Sequence, residues 1–445
     1  MGTRCWSVAM FGMALVACGQ APPDVVLLTL DTTRVDHLGV YGYQRPVSPA
    51  IDAFASEALV FRRAWAPAPW TLPSHASMLT GKHPTSHGAH FDAKKGDSYL
   101  SEVVDHKLAQ IVRVNRLGEE QITLAELLRE RGYATAAFAG GPWLSPGFGL
   151  LQGYELQDAD VQDLGGRSAA ELTDRALAWL EGLPRRRPLH LLVNYFDPHT
   201  PYEPPPGFRA LALEGETPPD TRRRHSRAID NYDGEIRFMD RQIERLLDAL
   251  RATRRYDGAL IILVSDHGEL FGEHGLRAHP PFHYEPLLRV ALLVRLPGGR
   301  AAGREIDAPF SLVDLLPLIA EEVGLAVPRG VEGVQLGERR VVLAQSFRDP
   351  VSIVKYGDRA DRDLTSVIRW PWKLTVSDRG TREIYHLERD PAESHNLAGR
   401  VPIEDELVRE LEEAVSALSA PDSPAPPEEL SPGTLERLRE LGYVP

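Results

Sequence analysis

The apolar positions of the chain fall into two alternating textures. Val25–Leu30, Ala134–Phe138, Leu189–Phe196, Ala259–Ser265 and Val290–Leu296 are short continuous apolar runs. A strand with one wet face would alternate polar and apolar residues, so unbroken runs predict strands buried on both sides. Between them, Thr123–Arg131, Ala169–Leu183, Ser226–Arg251 and Leu312–Val323 read as amphipathic helices. Strands alternating with helices predict an α/β sheet with helices on both faces. After about Gly330 the texture changes to shorter strand-like pieces, Val341–Ala344 and Thr365–Arg369. The expected organisation is a large α/β domain over residues 24–330 and a smaller subdomain over 331–419. A Pro-rich stretch, Ala420 to Pro427, and a terminal helix, Pro432–Leu441, complete residues 420–445.

Composition narrows the partners. Acidic residues outnumber basic ones 63 to 50 over 445 residues, a net charge of −13. Non-specific nucleic-acid binding needs a basic face to displace counterions, so nucleic acid is excluded as a partner. Past the first twenty residues no apolar run reaches the roughly 18 residues that cross a bilayer. Both cysteines, Cys5 and Cys18, fall in the leader, which excludes a disulfide framework or thiolate zinc site in the folded body.

Residues 1–17 read as an export signal: Arg4 supplies the positive region and Cys5 to Ala17 the apolar one. The segment Leu15-Val16-Ala17-Cys18-Gly19 resembles the bacterial lipoprotein processing box. It implies a lipid on Cys18, a tether over Gln20–Pro23, and a periplasmic or cell-surface location with membrane contact through that lipid alone. Ordinary cleavage near Ala17 or Ala21, without lipid, is the alternative.

In open α/β sheets the chemistry gathers beyond the C-terminal ends of strands. Val25–Leu30 runs into Asp31, Leu189–Phe196 into Asp197-Pro198-His199, and Ala259–Ser265 into Asp266-His267-Gly268. Taken singly, each Asp suits a turn or a helix cap. Together, two carboxylates and an imidazole on one edge suit a hard or borderline divalent cation. A further block, Thr71-Leu72-Pro73-Ser74-His75 through Gly81, reads as a short helix with Pro73 at its first position and Gly81 at its stop. Thr71 at its mouth is either a cap or a hydroxyl that attacks a tetrahedral oxyanion ester.

These blocks resemble the sulfatases of the alkaline phosphatase superfamily. The resemblance rests on Val25 to Gly39, the Thr71–Gly81 helix, Ser265-Asp266-His267-Gly268-Glu269 with Gly272-Glu273-His274-Gly275, and Ile384-Tyr385-His386-Leu387 with Asp390-Pro391 and Asn396-Leu397. It implies a large mixed sheet flanked by helices, with a small C-terminal α+β subdomain. It also implies one divalent ion, calcium by family (manganese, magnesium or zinc also suit the donors), held by Asp31, Asp266, His267 and Thr71. His199 then stands as a catalytic residue, and His75 and His279 as substrate contacts. Glu269, His274 and His283 are supporting residues.

The chain departs from the family pattern at several of these positions. Thr32 stands where a second acid is common, and Thr71 where the family has the Cys or Ser oxidised to formylglycine. His75 replaces the signature Arg, and Ala139 to Leu144 replaces a segment that carries Lys and His. A threonine cannot form the aldehyde, so release of product by elimination is closed. Phosphoryl-transferring relatives use a metal-bound Thr as nucleophile. The expected activity is hydrolysis of sulfate or phosphate esters of a small molecule or glycan. The alternatives are an envelope phosphodiesterase or phosphoryl transferase, and a catalytically silent relative that binds anionic glycans.

Overall fold

The computed structural model describes residues 22–91, 114–159, 167–214 and 226–421, together with Ala425, Glu436, Leu438 and Glu440. The strands of its main sheet are, in chain order, β1 (Val25–Leu30), β2 (Leu59–Phe61), β3 (Ala134–Ala139), β4 (Leu156–Asp158), β5 (Leu189–Tyr195), β6 (Leu260–Ser265), β7 (Leu292–Arg295) and β8 (Glu305–Ile306). They lie side by side in the order β8-β2-β7-β6-β1-β5-β3-β4. Only β7 runs against its neighbours β6 and β2; the other pairings are parallel. The sheet is therefore mixed, with a parallel centre.

Alternate residues of each central strand serve opposite faces, as the two-residue period requires. Val25 and Leu27 join a core containing α2 (Thr71–Thr80), α3 (Leu124–Glu130) and α6 (Leu315–Val323). Val26, Leu28 and Leu30 join the opposite core, with α1 (Pro49–Ala55), α4 (Ala169–Gly182) and α5 (Ser226–Ala252). Both faces are covered, which is why these strands carry no polar alternation.

A separate antiparallel sheet follows, β9 (Val342–Ser346), β10 (Leu364–Arg369), β11 (Trp372–Ser377) and β12 (Arg382–His386), in sequential order. Val367, Leu374 and Ile384 pack under Leu407 of α7 (Glu404–Ser416). Its other face meets the main body through Val342, Ala344, Ile368 and Tyr385, against Trp65, Leu270, Phe282 and Leu287.

The five expected strands and four expected helices form, with ends shifted by a residue or two. Leu312–Val323 divides into a 3-10 turn over Leu312–Asp314 and then α6. Residues 1–21, with the export signal and Cys18, lie outside the described residues, as do residues 92–113. Of the terminal helix only Glu436, Leu438 and Glu440 are described; they are helical, and Leu438 is buried in the first core.

Candidate active site

The central strands end level. Leu30 of β1 pairs with Tyr195 of β5 and with Ser265 of β6, so the next residues of all three strands emerge side by side. Asp31 and Asp266 occupy two of these places, and both are wholly buried. Asp266 Oδ1 accepts hydrogen bonds from the backbone N–H of Thr32 at 3.1 Å and of His267 at 2.8 Å. Asp266 Oδ2 and Asp31 Oδ1 have no hydrogen-bond partner among the described residues. Burial holds both carboxyls above the ordinary value of 3.8, and for Asp31 the neighbouring Asp266 adds to it.

His267 completes the group. Its Nδ1 lies 3.0 Å from the Gly268 carbonyl, to which it donates, so Nε2 carries the lone pair. That Nε2 lies 3.3 Å from Thr71 Oγ1 and 3.4 Å from Asp266 Oδ2. Burial lowers the imidazole to about 4, the neutral form a metal needs. One donor atom each from Asp31, Asp266 and His267 lies within 4.8 Å of the others. Buried acceptors without donors, facing a lone pair and a hydroxyl, fit a divalent cation, which would be held by these three side chains and Thr71 Oγ1.

Local sequence explains the placement. A Cβ on Gly268 would lie 1.9 Å from the Pro286 carbonyl oxygen, so the residue after Asp266-His267 has to be glycine. Thr32 turns the chain sharply after Asp31 and adopts φ 50°, a left-handed conformation that β-branched residues rarely take. Tyr232 secures the turn: its hydroxyl donates to the Thr32 carbonyl at 2.8 Å and accepts from the Arg34 N–H at 2.7 Å.

Thr71 is the first residue of α2, and Trp70 before it is extended. The helix begins two residues earlier than Pro73 suggests, and Pro73 is its third residue, where its missing N–H is still harmless. Ser74 Oγ donates to the Asp266 carbonyl at 2.6 Å and locks α2 to the β6 loop. His75 is fully buried behind Thr71: Nδ1 lies 3.0 Å from the Thr71 carbonyl and Nε2 3.2 Å from Thr29 Oγ1. Both ring nitrogens of the residue expected at the substrate are thus engaged inside the protein.

His199 follows β5 and stacks on Phe196, with ring centroids 4.4 Å apart. Its Nδ1 lies 2.7 Å from the Thr200 carbonyl, and its Nε2 lies 3.0 Å from Nε2 of His279. The His279 ring lies 4.8 Å from that of His267. The structure therefore brings Thr71, His267, His279 and His199 into one chain of contacts. Asp197 goes elsewhere. Its Oδ1 accepts the Ala169 N–H at 3.0 Å, at the start of α4, and burial pushes its carboxyl up to about 7.

Asn194 is a site residue that sequence reading missed. Its Nδ2 donates to Thr29 Oγ1 at 3.1 Å and points to Asp31 Oδ2 at 3.5 Å, while Oδ1 accepts the Gly141 N–H at 3.2 Å. The signal was one amide near the end of a mostly apolar run, opposite Thr29. His283 and His274 serve the second sheet: His283 Nδ1 lies 2.7 Å from Ser366 Oγ, and His274 stacks on Tyr284 at 3.6 Å. Glu269 is wholly buried and pushed up to about 8 by that burial. The loop carrying His279 is pinned from the second sheet by Lys373 of β11. The Lys373 Nζ donates to the His283 carbonyl at 2.7 Å and pairs with Glu285 at 3.3 Å and with Glu393.

A parallel-centred sheet brings two aspartates and an imidazole to one edge, beside the hydroxyl at the mouth of α2, and the donor set fits a divalent ion in an alkaline-phosphatase-like fold. The chain belongs to the sulfatase family: the family model described as Sulfatase matches residues 23–325. Members of that family hydrolyse sulfuric esters. An arylsulfatase of Clostridium perfringens is 24% identical over 442 residues, covering 84% of this chain and 90% of its own length. An ulvan-active sulfatase of Formosa agariphila is 24% identical over 355 residues; the match covers 71% of this chain and 64% of that relative's length. Among solved structures, a phosphonate monoester hydrolase of Agrobacterium radiobacter superposes with a TM-score of 0.68 at 19% identity, covering 88% of this chain and 95% of that one. At that identity the likeness speaks for the fold alone.

Proposed function

We propose that this protein hydrolyses sulfuric or phosphoric esters with Thr71 as nucleophile and a divalent ion at Asp31, Asp266 and His267. The observation that carries the reading is the position of Thr71 Oγ1, 3.3 Å from Nε2 of His267, which itself groups with two buried carboxylates bearing orphaned oxygens. When bound, the ion supplies Lewis-acid charge to the hydroxyl and to a nonbridging ester oxygen.

Thr71 Oγ attacks sulfur or phosphorus, and the bond from that atom to the leaving oxygen breaks with its electron pair. The Thr71 hydroxyl proton ends on the leaving alcohol; His199 and His279 stand where they can pass it. Water then attacks the Thr71 ester, takes the sulfuryl or phosphoryl group and returns a proton to Thr71. His75 holds the Thr71 backbone from behind, and Asn194 and Thr29 hold Asp31 and His75.

Threonine favours the phosphoryl form of this reaction, because its ester is cleared by in-line attack of water and has no aldehyde route. Calcium is the expected ion, though the oxygen-rich donor set with one imidazole also suits manganese, magnesium or zinc. Export by the 1–17 leader, with a lipid on Cys18, belongs to the same proposal, and mass spectrometry of the mature N-terminus tests it.

Purified protein is assayed with aryl sulfate, phosphate monoester and phosphate diester substrates under each metal, alongside Thr71→Ala. Turnover of at least one ester, falling on the order of a thousandfold or more in the variant, is expected. Wild-type rates in Thr71→Ala would remove Thr71 as nucleophile. Binding of sulfated sugars without any turnover would make the protein a silent relative.

A further inference from the structure

We propose that the end of the main sheet opposite the active edge docks on an anionic lipid surface through a group of exposed arginines. The proposal extends the membrane contact beyond the lipid placed above on Cys18, and its test does not depend on that lipid. Strands β1, β3, β5 and β6 are parallel and start level: Val25 pairs with His190 and with Leu260, and Ala134 with Leu189. The connections that enter them therefore share one end of the sheet. Arg129 and Arg131 stand before β3, Arg185 and Arg186 before β5, and Arg254 before β6. All five are exposed, and among the described residues none of them forms an ion pair.

Hydrogen bonds gather these connections around the point where the chain enters the fold. The Tyr133 hydroxyl donates to the Pro23 carbonyl at 3.0 Å, and Asp24 Oδ1 accepts the Leu189 N–H at 2.9 Å. Arg255, buried next to Arg254 in sequence, pairs with Asp24 at 2.9 Å and donates to the Pro184 carbonyl at 3.0 Å. Arg187 donates to the Tyr133 carbonyl at 3.1 Å and pairs with Glu155 at 2.6 Å. Those two arginines serve the fold; the other five do not. The exposed acids of the same stretches are Glu130, Glu181 and Asp257, and Asp257 lies 3.7 Å from Arg295. This end is thus rich in uncompensated arginine on a chain whose net charge is −13.

Two features select a bilayer as the occupant. The four strands lie in the order β6-β1-β5-β3, about 4.8 Å apart, so the arginines spread over roughly 14 Å of the sheet end. That spread suits a layer of headgroups better than one small anion. Cys18 also precedes the exposed Pro22 by only four positions, a reach of at most about 14 Å. A lipid on Cys18 would hold this same end at the membrane. The six residues of β1, rising about 3.3 Å each, set Asp31 about 20 Å beyond it. The active edge then faces away from the bilayer and takes its ester from the aqueous side, not from the headgroups beneath.

Vesicle binding tests this. Full-length Cys18→Ser protein, which takes no lipid, is cosedimented with vesicles of phosphatidylglycerol and phosphatidylcholine in equal parts, and with phosphatidylcholine alone. Preference for the anionic vesicles is expected, falling steeply as salt rises from about 0.1 M to about 0.5 M. Each arginine near an anionic surface is worth about fivefold in binding, so Arg185→Gln with Arg186→Gln should weaken it on the order of tenfold or more. Arg389→Gln with Arg400→Gln removes the same charge from two exposed positions after β12 and should bind as wild type. Thermal melts of both double variants should match wild type. Equal binding to the two kinds of vesicle, or an equal loss in the two double variants, would overturn the proposal. So would displacement by inorganic phosphate beyond that by chloride at the same ionic strength, which marks a discrete anion site. No turnover is read, so failure here leaves the proposed ester hydrolysis standing, and failure of that activity leaves the docking face standing.

Discussion

Replacing Asp31 by asparagine tests whether the strand-end carboxylates enclose a gap for a cation. Their donor atoms lie within 4.8 Å of each other, and two unit charges at that distance repel by about 3.5 kcal/mol at an effective dielectric constant near 20. Unfolding entropy of about 2.1 cal/mol/K per residue over 445 residues converts this into roughly 4 °C of Tm. The sign with pH is definite. Burial, and then Asp266, raise the Asp31 carboxyl well above its ordinary 3.8, so the metal-free fold keeps a proton that the unfolded chain releases. Metal-free stability is full below about pH 4 and falls as pH rises toward the folded-state value. By scanning fluorimetry after chelation, Asp31→Asn should melt about 4 °C above wild type at pH 8, with a smaller gap at pH 5. Returning a divalent ion should raise wild type more than the variant. Equal melts of the two metal-free proteins at both pH values, or a wild-type melt that chelation leaves unmoved, would refute the reasoning.

Two further changes probe the frame around the site. Asp197→Asn keeps an acceptor for the Ala169 N–H and removes a charge whose pKa burial raises from 3.8 to about 7. That rise corresponds to roughly 4 kcal/mol, which solvent at the edge of this half-buried residue cuts to about 2. The wild-type penalty accrues between pH 3.8 and about 7, so the variant should be the more stable protein at pH 8 and equal at pH 4 in calorimetric melts; a less stable variant at pH 8 would show that the charge supports α4. Lys373→Met leaves Glu285 and Glu393 buried without their cation and should lower stability by about 3–5 kcal/mol in denaturant titrations. Adding Glu285→Gln and Glu393→Gln should restore most of it, and an unchanged midpoint in the single variant would show that the cluster is not under charge tension.

Elements buried on both sides were legible because their composition alone decides them. Val25–Leu30 and Ala259–Ser265 could be little else, and the carboxylate after each, Asp31 and Asp266, pointed to the active edge. The short strands β2, β4 and β8 carry too few residues to show a period, and only their neighbours make them strands. β11 was unread because Lys373 breaks its apolar pattern, and β12 entered only through the family resemblance of Ile384-Tyr385-His386-Leu387. Lys373 is nevertheless wholly buried, neutralised by glutamates that arrive from other parts of the chain. The same cause hid the surroundings of Thr71. His75 reads as a substrate contact in place of the signature Arg, yet Thr29 and the Thr71 carbonyl satisfy it in the interior. Asp197 carries the same local signal as Asp31, and only tertiary placement assigns one to a helix start and the other to the centre.

The tie from Lys373 to the loop of His279 couples the last quarter of the polypeptide to the edge that carries Asp31 and Asp266. A fragment ending near residue 330 would keep its strands and its aspartates, but one wall of the reaction chamber would be left without a foundation. Any sequence that rebuilds the small sheet must preserve a buried ammonium at that spot or redesign the wall with it.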